Sequence, residues 1–185
     1  AIAQYECLIK EHCEAYLFGT KNTDASINPY TIAKSDLYKV IKQKSTLIIY
    51  HYSSYCEIAE KILKSAKCKI VLKYHNITPS AFFRNYSKKM SDITELGRKR
   101  IKRLIKNRQV HHYLADSEFN ASELIDYGVQ SGQLSIIAPF NRMQDFDNTA
   151  VNTELADGLS KEGPTILFVG RIAPNKGLKH LISVI

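Results

Sequence analysis

Arg171 and Lys176 bracket a short polar loop, Ile172-Ala173-Pro174-Asn175, that follows the β-forming run Thr165-Ile166-Leu167-Phe168-Val169 and Gly170. A guanidinium can fork two N–H donors onto phosphate oxygens, and an ammonium adds a compact point charge beside it. Gly170 would let a ligand approach the backbone, and a helix starting near Lys176 would add free N–H groups and a positive dipole end. That combination suits a diphosphate. On the pattern alone, an ordinary βα unit with two surface cations is the better reading. A second candidate is His75, which ends the run Lys69–Tyr74 and opens His75-Asn76-Ile77-Thr78-Pro79. An imidazole at a strand end can hydrogen-bond a ligand hydroxyl or take its proton, although a lone histidine more often packs or caps. His51, after Leu47-Ile48-Ile49-Tyr50, presents the same choice.

The elements that would position these residues alternate. Ile2, Tyr5, Leu8, Ile9 and Cys13 share one helical face, and Ala15-Tyr16-Leu17-Phe18 reads as a short buried strand. Thr20 to Tyr30 is a polar loop. Leu47–Tyr50 is a strand, followed by a capping box at Ser54 and Glu57 and the stripe Tyr55, Ile58, Ala59, Ile62, Leu63 and Ala66. Strands at Lys69–Tyr74, Tyr113–Asp116 and Leu134–Ala138 continue the series, with a basic helix before the second of these. A helix from Ser117 to Tyr127 stops at Gly128. A last helix follows Thr165–Val169, capped by Asn175. Short strands alternating with helices predict an α/β fold, a Rossmann-like parallel sheet with helices on both faces. Right-handed crossovers would align the strands' carboxyl ends, bringing His51, His75, Ser117 and Arg171 to ligand-binding positions. Residues 1–140 form the first domain in this reading, 141–163 a polar linker, and 164–185 the opening strand and helix of a second. Because a parallel domain normally begins with a strand and a single βα unit cannot bury its own faces, the chain reads as a fragment.

Composition narrows the partners. The 185 residues are 44% hydrophobic and 24% charged, as in a globular chain, and the net charge of +8 favours an anionic partner such as a nucleotide, a phospholipid surface or nucleic acid. The four cysteines form no Cys-x-x-Cys pair, which argues against zinc and for reduced thiols in a cytoplasmic protein. His111-His112 precedes a strand with its rings on opposite sides, so that pair reads as structural. Asp116, Ser117 and Glu118 read mainly as turn and cap residues.

Four segments in order then carry a resemblance. Phe168-Val169-Gly170-Arg171 with Asn175-Lys176-Gly177 resembles the donor-diphosphate turn of retaining, nucleotide-sugar-dependent glycosyltransferases of the GT-B fold (the glycosyl transferases group 1). Tyr74–Pro79 with Phe82-Phe83 resembles the histidine loop of that family's acceptor domain, and Leu114–Asn120 with Glu123-Leu124 its later strand-to-helix turn. Ile48–Ser53 is similar to an earlier strand-end loop in one branch. The resemblance implies two Rossmann-like domains across a cleft and transfer of a sugar from a nucleotide diphosphate to a sugar or lipid-linked acceptor with retention, in cell-surface glycan synthesis. His75 would then be catalytic, Gly170, Arg171 and Lys176 would bind the donor, and His51, Asn76 and Ser117 would lie on the acceptor side. Arg171 and Lys176 would neutralise the departing diphosphate, so no metal or other cofactor is expected. The family's glycine-rich first loop and paired donor-binding glutamates have no counterpart here, so the fragment is expected to be inactive alone.

Arg98, Lys99, Lys102, Arg103 and Lys106 occupy half of a helical wheel, and Met90, Ile93, Leu96, Ile101, Leu104 and Ile105 the other half. The cations would form a solvated face or rest on anionic lipid, each contributing about 1 kcal/mol near a charged surface; the second reading would set a cytoplasmic protein peripherally on the membrane's inner face. A nucleotide-sugar epimerase of the same architecture is the nearest enzyme alternative. A non-catalytic membrane- or nucleic-acid-binding module is the alternative of another class. The cationic face carries no aromatic on which bases would stack, so no nucleic acid is expected.

Overall fold

A computed structural model of the chain describes residues 1–19, 32–140, 146–147, 149–161 and 163–184. The expected loop, Thr20 to Tyr30, lies outside these. The chain divides into two compact units, Ala1–Phe140 and Asn141–Ile185.

In the first unit, α1 (Ile2–Lys10) and α2 (Lys34–Val40) precede a βα series: β1 (Leu47–Tyr52), α3 (Glu57–Ser65), β2 (Lys69–Tyr74), α4 (Lys88–Lys106), β3 (His112–Ala115), α5 (Glu118–Asp126) and β4 (Leu134–Ile136). The four strands form one parallel sheet in the order β1-β2-β3-β4, the α/β Rossmann-like arrangement. Tyr52 pairs with Tyr74, Tyr74 with Ala115, and Ala115 with Ile136, so the carboxyl ends share one edge. Alternation divides the sheet's side chains between its faces. Tyr52, Leu72, Tyr74, Tyr113 and Ala115 join Leu63 of α3, Ile101, Leu104 and Ile105 of α4, and Ala121 and Leu124 of α5 in one buried core. His51 and Lys73, paired in register, belong to the other face.

Several local expectations change. β1 runs on through His51 and Tyr52 because β2 offers ladder partners as far as Tyr74. Helix α3 therefore starts only at Glu57, on an extended Cys56 with no side-chain cap, and the Ser54–Glu57 capping box does not form. Ala15–Phe18 is no strand: a single bridge at Leu17 is all it has, with Ile32 N–H donating to Leu17 O at 2.9 Å. β4 ends at Ile136, short of Ala138. Conversely, Ser117 caps α5 by accepting from Asn120 N–H at 3.3 Å, and Gly128 takes a φ of 101° directly after the helix, as its place predicts.

The buried stripe of α4 is Thr94, Gly97, Ile101, Leu104 and Ile105, at helical spacing, while Met90 and Leu96 are exposed. The helix lies so close to the His75 loop that a Cβ on Gly97 would meet Ile77 Cδ1 at 2.9 Å. The cationic half of this helix is not the uniform free face expected. Arg98 turns inward, donating to Ile77 O at 2.8 Å and pairing with Glu123; Lys99 pairs with Glu95 at 3.4 Å; and Lys102 lies over the Tyr127 ring. No helix among the described residues is long and apolar enough to cross a membrane, and all four cysteines are free.

The second unit contains α6 (Thr153–Lys161) and α7 (Leu178–Val184). A helix thus stands in what reads as linker, capped by Asn152 Oδ1, which accepts from Leu155 N–H at 3.0 Å. Residues 165–169 are not a strand. They bond to no other described segment, and Leu167 and Val169 are exposed, because a strand exists only against a hydrogen-bonding neighbour. The last helix begins two residues later than its pattern suggests. Asn175 sits inside a 3-10 turn, Pro174–Lys176, and Gly177 at φ 70° separates that turn from α7.

Candidate functional site

Three side chains from the carboxyl edge of β1, β2 and β3 make one hydrogen-bonded line. His51 Nδ1 lies 2.8 Å from His75 Nε2, and His75 Nδ1 lies 2.8 Å from Asp116 Oδ2. The two imidazoles are 19° from parallel with centroids 5.0 Å apart. That separation is the N···N distance plus roughly one ring radius at each end, so the rings meet edge to edge with the hydrogen bond in line. Lys73, 1% exposed, completes the group: its Nζ is 2.9 Å from Asp116 Oδ1 and donates to Ile137 O at 2.8 Å. Burying an ammonium is costly without such partners, so Lys73 and Asp116 hold each other in place.

The local backbone explains the line. His51 and Lys73 are paired residues on one face of a parallel ladder, so their side chains stand side by side. His75 N–H donates to Tyr52 O at 3.0 Å, which continues the ladder one residue past β2. Asn76 then takes φ 60° and turns the chain away, a left-handed conformation that asparagine tolerates better than most residues. Ile77 is buried beneath α4, and Arg98 holds its carbonyl. The loop after His75 is therefore fixed on both sides.

Electrostatics set the behaviour of the outer ring. Burial above all, with His75 and Lys73 adding to it, lowers the His51 imidazole to about 4, with Asp116 acting the other way. A neutral His51 at pH 7 follows.

A second polar cluster lies on the core face. Glu123 accepts from Tyr74 Oη at 2.5 Å and from Tyr127 Oη at 2.9 Å, and it pairs with Arg98. Burial first, and then the bond to Glu123, raises both phenols, Tyr127 to about 12. Tyr52 Oη donates to Gly97 O at 2.8 Å. This cluster ties α4 and α5 to β2 just below His75.

Of the residues picked out by sequence, the structure brings His51 and His75 together, His51 as part of β1 and not beyond it. Asn76 is adjacent through its turn. Ser117 is committed to its helix cap. His111 Nδ1 accepts from Ile70 N–H at 3.1 Å and His112 Nε2 lies 2.9 Å from Ser135 Oγ, structural roles for both. Gly170, Arg171 and Lys176 belong to the second unit, where both cations are exposed and neither pairs with a carboxylate among the described residues. Asp116 and Lys73 are the residues that sequence reasoning missed. A lysine between the apolar run Ile70-Val71-Leu72 and Tyr74, within one strand, was the available signal. An Asp-x-Asp pair also stands at Asp145-Phe146-Asp147, which the metal-free expectation passes over; Asp145 lies outside the described residues. Among those described, no cluster of His, Cys, Asp and Glu reaches metal-binding size. The hollow lined by Ile105, Arg108, Val110, His111, Gly128 and Gln130 lies at the strands' amino ends, away from this group.

No family model, curated protein or solved structure matches the chain.

Proposed function

We propose that the chain belongs to a glycosyltransferase that moves a sugar from a nucleotide diphosphate to an acceptor hydroxyl, with the first unit on the acceptor side. The observation that carries this reading is the His51–His75–Asp116 line at the carboxyl edge of a parallel sheet, the edge where open α/β folds bind ligands. Sugar transfer asks for a group that bonds or deprotonates an acceptor hydroxyl, and for cations that meet the charge developing on the leaving diphosphate. The line supplies the first. Arg171 and Lys176, exposed and without carboxylate partners among the described residues, supply the second, and the resemblance of their turn to a donor-diphosphate turn supports that role.

Calorimetric titration of the protein with UDP- and GDP-sugars tests the reading. Saturable binding of one class is expected. Each charge-assisted phosphate contact is worth about 1.5–3 kcal/mol, so Arg171→Ala should weaken that binding by about tenfold or more, and Lys176→Ala similarly. Equal affinity for the unsubstituted protein and both variants would remove the donor assignment.

A further inference from the structure

We propose that His51 Nε2, and not His75, is the proton-accepting atom of this site, with His75 and Asp116 behind it as a relay. The inference rests on the transferase reading for its substrate, an acceptor hydroxyl, but its geometry belongs to the chain alone.

The hydrogen-bond roles have one consistent solution while both rings are neutral. Asp116 is held by the Lys73 ammonium and can only accept, so His75 Nδ1 carries the hydrogen that points at Oδ2. His75 Nε2 is then a lone pair. The nitrogen 2.8 Å from it, His51 Nδ1, must be the donor. Each ring has one hydrogen in its neutral form, so His51 Nε2 is unprotonated. No described group bonds to that atom, and it is not among the buried nitrogens left without a partner, so it is open. Both nitrogens of His75, in contrast, are already occupied within the line. A hydroxyl can thus reach a basic lone pair at His51 and not at His75.

The step balances. The acceptor O–H bond breaks and its proton forms Nε2–H on His51. The Nδ1–H bond of His51 breaks and that proton forms Nε2–H on His75. His51 ends neutral in its other tautomer, and His75 ends as an imidazolium beside the Asp116 carboxylate. The new C–O bond forms at the anomeric carbon while the bond to the diphosphate breaks, and the diphosphate keeps that electron pair. The charged groups facing the line are Lys73 and Asp116. The Lys73 ammonium opposes charge on His51, and the relay moves the charge one ring inward, against the carboxylate.

Ring tautomers read this directly. In protein labelled with nitrogen-15 at histidine, long-range proton–nitrogen correlation at pH 8 should show Nδ1–H and a bare Nε2 on both His51 and His75, each assigned by its loss in His51→Gln and His75→Gln. Asp116→Asn should then reverse both rings. The amide oxygen would face Lys73 and the amide N–H₂ would face His75 Nδ1, making it an acceptor, so Nε2–H appears on His75 and, through it, on His51. His51 makes no contact with Asp116 that would reverse it otherwise, and the remaining four histidines serve as internal controls. Nε2–H on His51 in the unsubstituted protein, or an unchanged His51 in a folded Asp116→Asn, overturns the relay. Should that variant not fold, the tautomers of the unsubstituted protein still decide. No sugar nucleotide is needed, so tautomers as expected alongside a failed donor titration would overturn the transferase reading and leave the relay standing.

Discussion

Replacing Glu123 by glutamine should destabilise the first unit by about 2 kcal/mol. The carboxylate accepts from Tyr74 and Tyr127 and pairs with Arg98. Glutamine can keep its oxygen on the Arg98 and Tyr127 side and donate its N–H₂ to Tyr74 Oη, so the number of bonds need not fall. What disappears is the charge opposite a partly buried guanidinium, whose side chain is 25% exposed. Hydrogen bonds to charged groups contribute about 1.5–3 kcal/mol and neutral ones about 0.5–1.5, and the difference over two or three bonds gives that figure. Alanine removes every partner and should cost about 3–5 kcal/mol, as when half of a buried pair is deleted. The chain has no tryptophan, so urea unfolding is best followed by far-ultraviolet circular dichroism. With a slope near 2 kcal/mol per molar, typical of a domain this size, the glutamine midpoint should fall by about 1 M. A midpoint within about 0.2 M of the unsubstituted protein would refute the reasoning, since Glu123 would then contribute as a surface carboxylate does.

Stability should also depend on acid. Folded His51 takes up its proton near 4, well below the ordinary imidazole, so the unfolded chain binds more protons between about 6.5 and 4 and stability falls across that window as pH drops. The full shift corresponds to about 3 kcal/mol, which solvent screening of a partly exposed ring reduces to about 1–2; His51→Gln should flatten that part of the profile, and an unchanged slope would contradict it. Lys73→Met keeps the volume but leaves Asp116 and Ile137 O without their cationic partner, at about 2–4 kcal/mol. Thermal melting checks this, and a melting point unchanged within a degree would mean that water replaces the ammonium.

Most of the α/β order was legible because hydrophobic period and punctuation state it. Lys69–Tyr74 is a strand at its expected bounds, and Ser117 and Gly128 delimit α5 as their residue types require. What failed depended on partners distant in sequence. β1 is longer than its apolar run because a neighbouring strand extends it. Thr165–Val169 has the residues of a strand and no described strand beside it. The site shows the same division. His51 and His75 were visible as polar residues at strand ends. Asp116 looked like a turn residue, since nothing local distinguishes an aspartate that ends a strand from one that orients an imidazole 41 positions away. Arg98 was misplaced because a wheel counts charges but cannot see Glu123 waiting on α5.

The placement of His75 follows from two successive residues of β2 pointing opposite ways. Lys73 goes to one face and reaches Asp116, the residue after β3; Tyr74 goes to the other and reaches Glu123, inside α5. Both carboxylates belong to a single βα unit, and each is joined by one further cation or donor set: His75 on the first, Arg98 and Tyr127 on the second. β2 is thus fastened to β3–α5 on both sides of the sheet within one strand step of His75. Arg98 then carries the restraint past the histidine, to Ile77 O. A ring held from before, beside and after has little freedom to seek its own partners, and the 2.8 Å contacts on both its nitrogens are set by the backbone. Such preorganisation is what proton transfer along a line of hydrogen bonds requires, because the donors and acceptors must already be in place when charge begins to move.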